Sequence, residues 1–164
     1  MTTLTERELA TLLHANPDIR MDGVAPVQRL VEVAMPVTAT KRKGAKTLTI
    51  TLHKERSPGW NNVLRMHWTK RDELVSMIWA RMIWALPPQY EMFRCAVDVH
   101  VVATFKGTPL DSDNICAKLY IDALKGKLLR DDDPRYVRRV TTESVCGKAN
   151  SVTIELTPVK VVQP

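Results

Sequence analysis

The sequence predicts an α/β or α+β domain built on a mixed sheet, with the element order β-α-β-α-β-β. Two kinds of periodicity support this prediction. Several segments alternate between apolar and polar residues, which is typical of strands that bury one face. Two other segments repeat apolar residues at helical spacing and are bounded by capping residues or prolines. No internal repeat is visible, so we expect one principal domain.

The first half of this domain is expected to hold one strand and one helix. The segment Thr47–Leu52 alternates and is rich in β-branched residues, which predicts a strand that ends before Ser57-Pro58-Gly59. A polar and aromatic loop follows over residues 60–68. Thr69 can cap a helix that runs to about Leu86 and stops at Pro87-Pro88. The apolar positions of this helix are Leu74, Met77, Ile78, Met82 and Ala85.

The second half is expected to hold three strands and one helix. Alternation over Cys95–Phe105 predicts a long strand, which ends at Gly107-Thr108-Pro109. Asp113 is expected to be the N-cap of a helix that runs to about Lys125. An aspartate-rich loop then leads into two further strands, which are Tyr136–Thr142 and Val152–Thr157, joined by a turn over Cys146–Asn150.

Residues 1–45 are predicted to form an N-terminal helical arm and a flexible linker, and residues 46–164 the main domain. Thr5 and Glu8 have the spacing of a capping box, and Leu9, Leu12 and Leu13 share one face of a helix over residues 5–16. Residues 17–45 lose this periodicity and contain prolines, glycines and a basic run at 41–43.

The composition narrows the classes of function. The chain has 164 residues and a net charge of +6. Residues 41–81 carry ten basic and three acidic groups, so this segment alone holds +7, which suggests a polyanionic partner such as nucleic acid. A solvated basic face is the competing interpretation. No apolar run is long enough for a membrane span, and no secretory signal is visible. Three widely spaced cysteines argue for reduced thiols, so we expect a cytoplasmic protein.

The densest chemistry lies between Leu110 and Tyr136. Asp111 and Asp113 are two residues apart where a strand is expected to end, and in extended backbone this spacing directs both carboxylates to one side. The run Asp131-Asp132-Asp133 could return a third carboxylate to them. Hard cations such as Mg²⁺ prefer such oxygen ligands. Helix capping and an ordinary turn are the structural alternatives. A calcium loop of the EF-hand type is excluded, because Cys116 stands where it requires glycine.

These motifs resemble the RusA-like Holliday junction resolvases of bacteria and their phages. The resemblance runs through Leu-Asp-x-Asp-Asn at 110–114, Lys-x-x-x-Asp-Ala-Leu at 118–124 and the Asp-Asp pair at 131–132 before Val137. The order of elements over residues 47–158 also fits that family. Compared with the family pattern, one additional residue separates Asn114 from Lys118 in this sequence. The lysine is therefore aligned through its spacing to Asp122.

The resemblance implies a site, a reaction and an assembly. It implies that Asp111, Asp113 and one aspartate of the 131–133 run bind Mg²⁺, for which Mn²⁺ would substitute, and that Lys118 assists catalysis. The Asp-Asp pair aligns best with Asp132 as the third ligand, with Asp131 and Asp133 as alternatives. The implied protein is a homodimeric endonuclease of the bacterial cytoplasm that resolves four-way junctions during DNA recombination and repair. Cleavage of flaps or forks and non-catalytic DNA binding are the competing functions.

A second segment, residues 60–71, is predicted to bind DNA. Asn61 and Asn62 could hydrogen-bond near the scissile phosphate, and Arg65, Lys70 and Arg71 could hold neighbouring phosphates. Trp68 could stack on unpaired bases, with His67 beside it, and the same is possible for Trp60. The alternatives are that the tryptophans belong to the core, that the asparagines are turn residues and that His67 is structural. For Trp79 and Trp84, inside the helix, a core position is expected.

Overall fold

The computed structural model describes residues 37–40, 47–83, 86 and 90–159. The predicted N-terminal helix over residues 5–16 lies outside the described residues, as does most of the predicted linker. Residues 37–40, which the sequence analysis assigned to that linker, form a strand instead, β1 (Val37–Thr40). The sheet therefore starts earlier than predicted.

Five strands form one mixed sheet in the order β1-β2-β5-β3-β4. The remaining strands are β2 (Leu48–His53), β3 (Val97–Lys106), β4 (Val137–Gly147) and β5 (Ser151–Pro158). Only the β3–β4 pair is parallel among these strands; β1–β2, β2–β5 and β3–β5 are antiparallel. The predicted mixed sheet is confirmed.

Among the residues that the structure describes, three α-helices accompany the sheet: α1 (Trp60–Arg65), α2 (Trp68–Ile83) and α3 (Ala117–Leu124). The described order is thus β-β-α-α-β-α-β-β, which adds β1 and α1 to the predicted order. Helix α1 occupies part of a segment predicted to be loop. Helix α2 begins one residue before the predicted cap, and its described part extends to Ile83.

The core lies on one face of the sheet. Alternate residues of β2, β3 and β5 are fully buried, and they pack in one cluster with residues of α2 and α3. This alternation is the period expected of strands that bury one face. The buried members include Ile50, Val101 and Ile154 from the sheet and Met82 and Tyr120 from the helices. The polar residues between them, such as Thr51 and Thr153, which are hydrogen-bonded at 3.1 Å, lie on the other face.

The connection between β3 and β4 positions the acidic residues. Because these two strands are parallel, the chain must return along the sheet between them. It does so through a 3-10 turn at Ser112–Asn114 followed by α3. The predicted helix start at Asp113 is therefore wrong: Cys116 is the N-cap residue of α3, and Asp113 belongs to the preceding turn.

Candidate metal and nucleic-acid site

The first acidic loop, which carries Asp111 and Asp113, is held against the segment that precedes α1. Gly59 and Ile115 form an isolated β-bridge, and the Cys116 amide donates to the Pro58 carbonyl at 3.4 Å. A Cβ atom on Gly59 would lie 3.0 Å from the side-chain amide group of Asn114, so any larger residue would press against this side chain. These contacts explain why the helix starts late, since the backbone of residues 114–116 bonds outside it. They also bring the acidic loop next to the predicted DNA-binding segment.

Asp111 and Asp113 are exposed carboxylates without a capping role. Asp111 is the N-cap residue of the 3-10 turn, yet its side chain makes no capping hydrogen bond. Within the described part of the chain, neither Asp111 nor Asp113 forms a salt bridge. The capping alternative raised by the sequence therefore does not account for these two side chains.

The second acidic loop, which carries the three aspartates at 131–133, contacts the first turn of α3 through Lys118. The Lys118 Nζ donates to Asp132 Oδ2 at 2.6 Å and also pairs with Asp122 one helical turn ahead. Helix α3 and the second acidic loop, which the chain reaches after this helix, are therefore in direct contact. The sequence analysis expected the run 131–133 to return a carboxylate to Asp111 and Asp113. In the structure Asp132 reaches Lys118 instead, and the described residues show no group of three acidic side chains around one position.

Lys125 is a second cation on the same carboxylate. Its Nζ donates to Asp132 Oδ1 at 2.9 Å and lies 2.6 Å from Asp131 Oδ1. Hydrogen bonds from Lys118 and Lys125 hold the pKa of Asp132 well below its ordinary value. Burial opposes the charge of Lys118, but its bonds to Asp122 and Asp132 outweigh this and raise its pKa. Lys118, Lys125 and Asp132 are thus fully ionised at neutral pH.

The other two aspartates of the run have local structural partners. Asp133 Oδ1 accepts from the Arg135 amide at 2.8 Å, and both of its oxygens accept from the Arg135 guanidinium. Its carbonyl accepts from the amides of Tyr136 and Val137. Asp133 is therefore a turn residue. The Asp131 Oδ1 accepts a hydrogen bond from the backbone amide of the adjacent Asp132 at 2.8 Å, so this side chain also has a local partner.

The carboxylate oxygens of the site are the type of ligand that a hard cation prefers, but the described residues do not form a complete coordination shell. Mg²⁺ takes oxygen ligands and commonly uses one or two carboxylates with several waters, which Asp111 and Asp113 could supply. In the described ranges, no three His, Cys, Asp or Glu side chains are grouped closely enough to hold one ion. Both Asp132 oxygens are engaged by lysines, so this carboxylate could join a metal only after exchanging at least one of them.

The predicted DNA-binding residues form an exposed surface on α1 and the start of α2. Asn61, Asn62 and Arg65 are exposed on α1, and Lys70 and Arg71 are exposed on the first turns of α2. Trp68 is 61% exposed, so the core alternative is wrong for this residue.

The other aromatic residues of the segment differ from Trp68. His67 Nδ1 lies 2.9 Å from Thr69 Oγ1, and its carbonyl accepts from the amides of Lys70 and Arg71, which gives it a structural place at the start of α2. Trp60 is half-buried and packs against the core, as does Trp79. Trp84 lies outside the described residues.

Lys125 was missed by the sequence analysis, although a signal for it exists. It stands seven residues after Lys118 and three after Asp122, which is the spacing of one helix face.

Comparisons with known proteins add no relationship. No protein-family model matches the chain, and no curated protein or solved structure shows significant similarity to it. Among the helices that the structure describes, none is long and apolar enough to span a membrane.

Proposed function

We propose that the protein is a Mg²⁺-dependent endonuclease that resolves Holliday junctions by hydrolysing paired phosphodiester bonds. One observation carries the proposal: Lys118, at the start of the helix that follows Asp111 and Asp113, bonds to Asp132 on a loop distant in sequence. An ion pair thereby joins the helix that follows the first acidic loop to the second acidic loop, which the chain reaches after this helix. Asp111 and Asp113 precede this helix as exposed carboxylates, and neither forms a salt bridge within the described residues, so both remain available as metal ligands.

In this proposal Asp111 and Asp113 hold the metal, and Asp132 completes the set. Bound Mg²⁺ would neutralise charge on the scissile phosphate and lower the pKa of a coordinated water. Lys118 is fully protonated and sits between Asp122 and Asp132, so its ammonium can turn from a carboxylate to a phosphate oxygen or the leaving group.

The surface of α1 and α2 would hold the DNA. Arg65, Lys70 and Arg71 are exposed and can neutralise phosphates, which positions a duplex without reading its sequence. Trp68 projects from the same surface and can stack on an unpaired base where the strands branch. The Gly59–Ile115 bridge joins this surface to the acidic loop, so a bound strand would pass close to Asp111.

The decisive experiment compares Asp111→Asn with Glu155→Gln on a labelled four-way junction in Mg²⁺. Glu155 is a partly exposed carboxylate of β5 and serves as the charge-matched control. We expect the Asp111 variant to lose cleavage by at least a hundred-fold while still binding the junction, and the control to cut normally. Wild-type cleavage by Asp111→Asn would refute the metal site.

A non-catalytic DNA-binding protein is the second candidate. It is favoured by the two lysines on Asp132, which neutralise this carboxylate without a metal. Intact junction after incubation of the wild-type protein in Mg²⁺ and in Mn²⁺, together with tight binding, would support this function. Cleavage of flaps or forks in preference to junctions would keep the nuclease and change its substrate.

We also propose that the active form is a homodimer. A four-way junction has two-fold symmetry, and a C2 dimer would supply two sites with that symmetry. Sedimentation of a single monomeric species that still makes two paired cuts would contradict this part of the proposal.

A further inference from the structure

A cleft of about 670 Å³ lies next to the second acidic loop, in a region that the sequence analysis did not single out. It is lined by Glu91, Met92, Phe93, Arg94, Arg130 and Tyr136. These residues belong to two loops, one before β3 and one before β4. The Phe93 amide donates to the Leu128 carbonyl at 2.9 Å, and the Val97 amide donates to the Tyr136 carbonyl at 2.9 Å. Backbone bonds therefore join the two walls.

The cleft combines an apolar floor with a rim that carries two arginines and one glutamate. Phe93 and Tyr136 are half-buried, and Met92 is 37% exposed beside them. Arg94 has a side chain that is 91% exposed and pairs only loosely with Glu91, at 3.6 Å. The Arg130 guanidinium lies 5.7 Å from the centre of the Tyr136 ring. Both guanidiniums can therefore meet an anion, whereas that of Arg135 is already committed to both oxygens of Asp133.

This arrangement matches the two halves of a nucleotide. A base is flat and apolar on its faces and stacks on aromatic rings and guanidinium planes, whereas a phosphate binds arginine through charge-assisted hydrogen bonds. The volume also lies within the range of pockets that take small ligands. Arg130 immediately precedes Asp131, so a strand in the cleft would pass beside the Lys118–Asp132 contact.

We propose that this cleft binds one unpaired nucleotide of a DNA strand, with its base against Phe93 and Tyr136 and its phosphates on Arg94 and Arg130. The proposal rests on the proposed function only in taking DNA as the polymer. Branched DNA presents such unpaired nucleotides near the branch point. The cleft would therefore fix which phosphate of the strand reaches the second acidic loop.

The test measures binding of a single-stranded DNA 12-mer containing 2-aminopurine, in EDTA so that cleavage plays no part. Stacking in the cleft should quench the 2-aminopurine fluorescence. The double variant Arg94→Gln/Arg130→Gln should bind about ten-fold more weakly and with a shallower salt dependence, because two phosphate contacts are lost. Tyr136→Leu should weaken binding several-fold, because one stacking surface is lost, and should lose most of the quenching.

The charge-matched control is Lys106→Gln/Lys148→Gln. Lys106 pairs with Gly147 at the far end of the β3–β4 pair from the cleft, and Lys148 follows Gly147 directly; both are exposed. This control should bind almost as the wild-type protein does. Equal weakening in the two double variants would overturn the cleft and leave only a diffuse charge effect.

Two further arms separate the alternatives. Displacement of the 12-mer by free dAMP at equal nucleotide concentration would overturn a strand site in favour of a site for free nucleotides. Cleavage assays address the proposed function separately. Absence of cleavage by the wild-type protein would refute the nuclease while leaving the EDTA binding result intact. Normal cleavage and binding by Arg94→Gln/Arg130→Gln would refute the cleft while leaving the nuclease intact.

Discussion

The hydrogen bond between Tyr120 and Ser57 should govern how firmly α3 is attached to the loop before α1. Both side chains are buried, and the Tyr120 hydroxyl donates to Ser57 Oγ at 3.1 Å. Burial keeps the pKa of Tyr120 above its ordinary value, so the phenol remains a donor throughout the neutral range. Tyr120→Phe removes one buried neutral hydrogen bond, and we expect it to lower the free energy of unfolding by about 1 kcal/mol.

Ser57→Ala should cost more, about 2 kcal/mol, because it leaves the larger phenolic hydroxyl buried without its partner. The double variant removes both polar groups, and we expect it to cost about 1 kcal/mol, well below the sum of the single changes. Urea denaturation followed by tryptophan fluorescence measures all four proteins, with equal m-values as the check that the native state is unchanged. Additivity of the two single changes within about 0.3 kcal/mol would refute a coupled hydrogen bond.

Three further predictions follow from the same region and from the sheet. Glu55→Ala should lower the free energy of unfolding by about 3 kcal/mol, because Arg81 is only 8% exposed and would keep a buried charge without its partner. Glu91→Ala removes a partner from the exposed pair with Arg94 and serves as the control. A loss of stability as small in Glu55→Ala as in Glu91→Ala would contradict this reasoning. Lys54→Gly should raise the melting temperature by a few degrees, because residue 54 has φ of 59°, and an equal gain from Lys54→Ala would show that relief of strain is not the cause.

Arg138→Gln should weaken the protein at pH 7, and the difference should disappear once the pH falls below the lowered pKa of Asp98, as followed by urea midpoints at several pH values. The guanidinium of Arg138 lowers the pKa of Asp98, so the pair stabilises above the ordinary carboxyl pKa and loses its effect as pH falls through the lowered one. A difference that persists in acid would refute this reason.

The main elements could be predicted because their periodicity is strong. Strand β3 and helix α2 each carry a long apolar pattern, and both were found within a few residues of their observed bounds. Strand β1 was missed because its four residues are too few to show alternation, and they stand among prolines and glycines. Helix α1 is only six residues long and begins with Trp-Asn-Asn, so local propensity favoured a loop.

The candidate site shows a different limit. The spacing of Asp111 and Asp113 can be seen in the sequence, but the late start of α3 depends on the close approach of Gly59 and Asn114, which are 55 positions apart. Likewise, the choice of Asp132 among three adjacent aspartates depends on which side chain faces Lys118. Long-range contacts of this kind leave no periodic trace, so only the folded chain reveals them.

The lysines on Asp132 give the second acidic loop a charge balance of its own. Three consecutive aspartates in the loop before β4 would repel one another, and Lys118, Lys125 and Arg135 each neutralise part of that charge. The loop can therefore fold before any cation binds. Partly exposed pairs of this kind are weak and exchange readily. A divalent ion could for this reason replace Lys125 on Asp132 without unfolding the loop, and a displaced lysine would then be free to meet a phosphate. The same side chains that stabilise the loop without a metal are thus placed to serve the proposed reaction with one.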